Sequence, residues 1–190
     1  MSQIQESVDV AVPVNVAYNQ WTQFEEFPEF MGGVQEVRQI DDTRLHWVAE
    51  IAGVHREWDA EITEQIPDTR VAWTNIDGVT NGGVVTFHRL APDRTRVMLQ
   101  LDFEPEGVLE TVGDRLGFVA GQTRADLERF REFITSRSSA TGAWRGEVHG
   151  GDVGAASPNS SAMGSSWTDR SGVTDIDDEG FDDPYESRPV

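Results

Sequence analysis

From Val34 to Phe103 apolar and polar residues alternate with a period of two, broken only by short turns; from 107 to 136 the pattern becomes one stripe with spacings of three and four. That switch limits the fold. Strands are predicted at about 34–41, 44–52, 55–66, 70–77, 83–90 and 95–104, joined by "DDT", "GV", "PDT", "DGVTNGG" and "APDR", which is turn chemistry. A run of antiparallel strands with one apolar face must hide that face. The cover on offer is a helix about 40 Å long carrying Leu109, Val112, Leu116, Val119, Thr123, Leu127, Phe130 and Ile134 in one stripe.

The N-terminal segment supplies the rest of the frame. Val8, Val10 and Val12 alternate along a strand over 4–12 that Pro13 stops. A helix is predicted from Val14 to Phe24, burying Ala17, Trp21 and Phe24. Pro28 suits the first turn of a second short helix, with Phe27, Phe30 and Met31 facing inward and Gly32-Gly33 ending it. The expected fold class is therefore α+β: a curved antiparallel sheet of six to seven strands around a long C-terminal helix, with two short helices after the first strand.

Hairpin pairing tests the faces. A Gly53-Val54 loop aligns Ala49 with Trp58, Trp47 with Ala60 and Leu45 with Ile62. A turn at 67–70 sets Ile66 opposite Val71, Glu64 opposite Trp73 and Ile62 opposite Asn75. A loop of Pro92, Asp93 and Arg94 sets Phe87 opposite Leu99 and Val85 opposite Leu101. All three hairpins place their bulky apolar residues on one face. His46, Glu50, Glu57, Asp59, Glu61, His88, Gln100 and Asp102 fall on the other, in water.

The 190-residue chain has a formal charge of −19, no cysteine, and arginine as its only strong base. Disulfides, thiol chemistry and cysteine metal sites are excluded together. An acidic surface repels phosphate backbones and anionic membranes, and Arg124, Arg129, Arg131 and Arg137 alternate with Asp126, Glu128 and Glu132 as a solvated helix face does. No nucleic acid and no stable membrane insertion are expected. The start "MSQIQESVDV" lacks the basic and apolar regions of a signal peptide, so a cytoplasmic location is expected.

Near residue 138 the composition turns rich in Gly, Ser and Asp and loses its aliphatic clusters. The expected organisation is a domain over 1–137, an ordered extension over 138–149 built on "TGAWRGEV", and a disordered acidic tail over 150–190. Phe181 and Tyr185 among the acids make that tail either a solubilising segment or a docking motif for a basic protein partner. A homodimer is compatible with the sequence, although no exposed apolar stripe demands one.

Four segments resemble the polyketide cyclase/dehydrase family of START-like (SRPBCC) proteins, in particular its coenzyme Q-binding-like branch: "VDVAVPVNVAYNQWTQFEEFPEFMGGVQEV", "RLHWVAEIAGVHREWDAEITEQIPDTRVAW", "GGVVTFHRLAPDRTRVMLQLDFEP" and "ADLERFREFI". They span nearly all of residues 4–136, and "TGAWRGEV" is similar to an extension of actinobacterial members. The resemblance implies a helix-grip fold. It also implies either carriage of a lipid, isoprenoid, quinone or polyketide in an internal cavity, or cyclisation and dehydration of an aromatic polyketide there. The aromatics Tyr18, Trp21, Phe24, Phe27 and Phe30 then roof the space between sheet and helix. Glu25, Glu26 and Glu29 argue against a membrane-surface role for that segment.

The inner face offers Trp47, Trp58, Trp73, Phe87 and Phe103, with Phe27 and Phe30 from the roof, and few polar groups: Arg56, Glu64, Asn75 and Arg89. An apolar cavity with sparse polar groups is the usual form of a small-molecule site. Trp47, Trp58, Trp73, Asn75, Phe87, Phe103, Phe27 and Phe30 are the candidate ligand contacts, the tryptophan faces for flat rings and their N–H groups for a carbonyl. Arg56, Tyr18 and Glu64 are the candidate catalytic groups. Arg56 either holds a ligand oxygen or, beside its turn, points to water. Glu64 either serves as acid or base or pairs with Arg89, and Tyr18 either donates a proton or joins helix to sheet. The histidines are scattered, so no metal centre and no cofactor are expected. A cofactor-free carrier of a hydrophobic small molecule leads, with a cyclase or dehydratase as the alternative and a tail-mediated interaction protein behind both.

Overall fold

The computed structural model describes residues 2–154 except 52, 77–80 and 104–108; the side chains of 2, 81, 103 and 109–116 also fall outside the description. Seven strands succeed one another around two helices and a 3-10 turn: β1 (Ser2–Val10), α1 (Val14–Trp21), the 3-10 helix Phe24–Glu29, β2 (Val34–Gln39), β3 (Arg44–Ile51), β4 (Val54–Ile66), β5 (Arg70–Asn75), β6 (Asn81–Ala91), β7 (Arg94–Phe103) and α2 (Leu109–Arg137). Two short strands, β8 (Glu147–His149) and β9 (Asp152–Gly154), follow α2. The sheet runs β1-β7-β6-β5-β4-β3-β2, all antiparallel, with β1 and β2 as edges. It is a helix-grip fold.

Each element has a local cause. Pro13 stops β1 and opens α1, where its carbonyl accepts from the N–H groups of Val16 and Ala17 at 3.0 and 3.1 Å. Thr22 ends α1 by donating its hydroxyl to the Asn19 carbonyl at 2.6 Å. Pro28 lies within the 3-10 helix. In the described half of α2, Thr123, Leu127, Phe130 and Ile134 are buried and the arginines between them are not.

Trp21 is the hub of the core, edge-on to Phe27 (5.4 Å) and Phe130 (5.1 Å), while Phe30 meets Phe130 at 5.1 Å. Edge-to-face pairs add roughly 0.5–1.5 kcal/mol each beyond their buried area. The loop after the 3-10 helix is clasped to α2: Asp126 accepts from the Gly32 N–H and Gln122, each at 3.0 Å, and from Arg129, which also donates to the Phe30 carbonyl at 2.9 Å. Burial pushes the Asp126 carboxyl up, partly countered by the Gly32 hydrogen bond and Arg129.

The hairpin faces agree with the alternation pattern, but the registers differ. Trp47 pairs with Trp58 and Leu45 with Ala60, because Ile51 pairs with Val54 and Gly53 before it takes the positive φ of 76°. Val85 pairs with Leu99 and Phe87 with Val97, the register resetting at Leu90. Both are slides of two residues, which keep every side chain on its face. β4 and β5 are different: Ile62 pairs with Trp73 but Glu64 with Ala72, so a bulge at Thr63 inverts the alternation beyond it.

Candidate ligand-binding site

The inner face of the sheet changes character from one end to the other. At the α1 end it is closed: Tyr18, Trp21, Phe30 and Phe130 are 1% exposed or less, and Phe87 lies against Tyr18 at 5.5 Å. Towards the β3–β4 turn, Trp47, Trp58 and Trp73 sit on the same face only half-buried. Three of the largest apolar side chains thus line the less covered end, among few polar groups.

Trp47 and Trp58 are cross-strand partners whose rings lie parallel, 5.8 Å apart at 7°, and Phe27 leans on Trp47 at 5.7 Å. The Trp47 indole Nε1 is buried and has no hydrogen-bond partner among the described residues. Such a donor is uncommon in a folded protein, and leaving one unmade costs about 1–3 kcal/mol. Trp73 lies across Gly83, its cross-strand neighbour, where a Cβ would meet the indole at 2.4 Å. Asn75 faces inward opposite the buried Ala60. Phe103 ends β7, and its side chain lies outside the described residues.

The three candidate catalytic groups do not converge. Arg56 is exposed and points to water. Glu64, past the Thr63 bulge, leaves the inner face and accepts from Arg70 Nη2 at 2.5 Å; Arg89, expected beside it, is exposed. Tyr18 joins helix to sheet: its hydroxyl accepts from Gln65 Nε2 at 3.2 Å, and burial pushes the phenol up to about 12. The bulge turns Gln65 inward, where it is 1% exposed. Nothing in the alternation marks Gln65 or the equally buried Gln20 as interior, because each depends on a tertiary partner.

The histidines of the outer face pair locally, His46 Nδ1 with Asp59 at 2.6 Å and His55 Nε2 with Glu57 at 3.0 Å. Among the described residues no group of three His, Cys, Asp or Glu side chains is placed to hold a metal ion. A shallow hollow between β1 and α2, lined by Asp9, Ala11, Arg131, Glu132, Thr135 and Ser136, lies outside the grip. Two of its charges are engaged elsewhere, Asp9 with Arg96 at 2.7 Å and Arg131 with Glu128 at 2.5 Å. No described helix is long and apolar enough to cross a membrane.

The family model described as "Polyketide cyclase / dehydrase and lipid transport" matches residues 10–132. An uncharacterised 17.2 kDa protein of Streptomyces lincolnensis is 61% identical over 149 residues, 78% of this chain and 99% of that one. A solved protein of Deinococcus radiodurans shares 26% identity with a TM-score of 0.56, over 72% of this chain and 99% of its own. A START superfamily protein from Mycobacterium smegmatis (TM-score 0.61, 15% identity, 70% and 99% coverage) and an aromatase/cyclase from a Streptomyces species (0.62, 16%, 75% and 99%) share the fold.

Proposed function

Since the chain belongs to the polyketide cyclase / dehydrase and lipid transport family, we propose that it binds and carries a hydrophobic small molecule on the inner face of its sheet, at the end lined by Trp47, Trp58 and Trp73. The observation that carries this reading is the buried Trp47 indole N–H, without a partner among the described residues, beside the parallel Trp58 ring. Two indole faces suit a flat or extended apolar ligand, and an N–H without a partner suits a ligand carbonyl. A lipid, an isoprenoid or quinone, as in the coenzyme Q-binding branch, and a polyketide all meet that description.

Cyclisation in the same space is the second reading, favoured by the fold shared with aromatase/cyclases. It needs an acid or base that reaches the ligand. Arg56 in water, Glu64 on the outer face and a Tyr18 phenol tied to Gln65 are poorly placed for that, so carriage is preferred. Unchanged turnover in Arg56→Ala, Tyr18→Phe and Glu64→Gln variants would remove these residues from a cyclase mechanism.

The test is native mass spectrometry of the full chain purified from its own host, followed by denaturing extraction. A discrete hydrophobic compound is expected, lost in Trp58→Ala and held roughly tenfold more weakly in Trp47→Phe, which keeps a ring but not the donor. A ligand-free mass under conditions that retain ligand in a known carrier would overturn the reading.

A further inference from the structure

The family match ends at residue 132, yet the described chain runs on past α2, through β8 and β9, to Gly154. We propose that residues 138–151 are a strap that locks α1 against the β4–β5 end of the sheet and seals that end of the grip, with Arg145 as its principal fastening.

The contacts of this segment are specific and converge. The Thr141 N–H donates to Gln20 Oε1 at 3.0 Å and the Thr141 hydroxyl to Glu26 Oε2 at 2.7 Å, an oxygen that also accepts from Gln20 Nε2 at 2.8 Å. The Trp144 N–H donates to Thr22 Oγ1 at 3.0 Å. Arg145 grips the Asp68 carboxylate with both arms, at 2.9 and 2.8 Å, donates to Asn19 Oδ1 at 2.9 Å, and sets its guanidinium 5.6 Å from the centre of the Tyr18 ring. Val148, fully buried, then pairs with Gln65, and the Gly151 N–H donates to the Thr63 carbonyl at 3.1 Å.

Each attachment lands on the C-terminal half of α1 or its C-cap Thr22, the 3-10 helix, the β4–β5 turn, or the stretch of β4 from Thr63 onward that β3 leaves uncovered. An eight-residue helix is too short to persist by itself. From inside, α1 is held by its aromatics and the Gln65 bond to Tyr18; from outside, the strap ties its last turn to Asp68. The bulge at Thr63 serves both sides, turning Gln65 towards Tyr18 and leaving a carbonyl for Gly151. With α1 fixed and this end sealed, a ligand passes at the tryptophan end, a consequence that rests on the ligand-binding reading above.

The test compares the full chain with a Thr141→Val/Arg145→Ala variant by amide hydrogen exchange read by mass spectrometry. Exchange over residues 14–23 is expected to rise roughly tenfold while β6, β7 and residues 127–134 stay as they were, and restoring position 145 as lysine recovers part of the protection. No rise in α1, or an even rise across the sheet and α2, overturns the lock. Release of the neutral probe N-phenyl-1-naphthylamine is expected to speed up in the variant, and an unchanged rate overturns the seal. A wild-type chain that takes up no probe counts against ligand binding, and the exchange measurement then decides the strap by itself.

Discussion

Tyr18 and Gln65 show how much a single residue owes to partners remote in sequence. The helical pattern marks Ala17, Trp21 and Phe24 and passes over Tyr18, which the family resemblance adds to the roof and which is fully buried, and the strand pattern assigns the interior to Glu64 rather than Gln65. No periodicity announces a one-residue bulge, and a bulge exchanges the fates of its neighbours. The exchange is physically sensible: an amide satisfied by a phenol stays inside, while a carboxylate goes out to Arg70. Tyr18→Phe is expected to destabilise the protein by about 1–3 kcal/mol, because Gln65 Nε2 loses its partner in a buried site; denaturant unfolding measures it. The same group sets an alkaline limit. Burial holds its folded pKa at about 12, above the ordinary tyrosine value of 10.0, so the protonated phenol favours the fold. That stabilisation is complete below about pH 10 and is lost as the pH rises towards 12. Unfolding midpoints between pH 9 and about 12 should fall less in the Phe variant than in the wild type.

At the scale of elements, which face a strand buries was legible everywhere but beyond the Thr63 bulge of β4, and which residue it faces was not. Two hairpins slid by two positions because loop length, not alternation, sets register, and the loops were misjudged by a residue at Gly53 and around Pro92. Gly82 reads as a turn residue in "DGVTNGG" and Gly83 as the joint between that turn and a strand over 83–90, yet both lie inside β6. Gly83 is there because Trp73 needs the space, the close approach that a strand glycine often marks. Gly83→Ala puts a methyl 2.4 Å from the Trp73 ring, so the indole must swing aside. Overpacking of this kind typically costs about 1–3 kcal/mol. The expected outcome is a lowered denaturant midpoint together with loss of any co-purifying ligand, because one wall of the tryptophan end has moved. A normal midpoint with retained ligand would remove Trp73 from the site.

For the whole molecule, the order of elements was enough to specify the grip. A sheet with one apolar face and one helix long enough to cover it leave little choice. The charge has a consequence of its own. Residues 1–154 hold twice as many acids as arginines, so even with Arg96, Arg124, Arg131 and Arg145 each paired to a carboxylate, the folded state confines a surplus of negative charge. Exposed pairs of this kind contribute about 0–1 kcal/mol each; the surplus repels over longer distances, where salt acts most strongly, with a screening length of about 8 Å near 0.15 M. Screened repulsion should therefore outweigh weakened pairs, and the thermal midpoint should rise on going from low salt to about 0.5 M sodium chloride. Residues 155–190 add eight acids and two arginines. If their charge bears on the fold, a chain ending at 154 should show a smaller rise. A midpoint that falls with salt in both chains would mean that the ion pairs, the Arg145 fastening among them, outweigh the surplus.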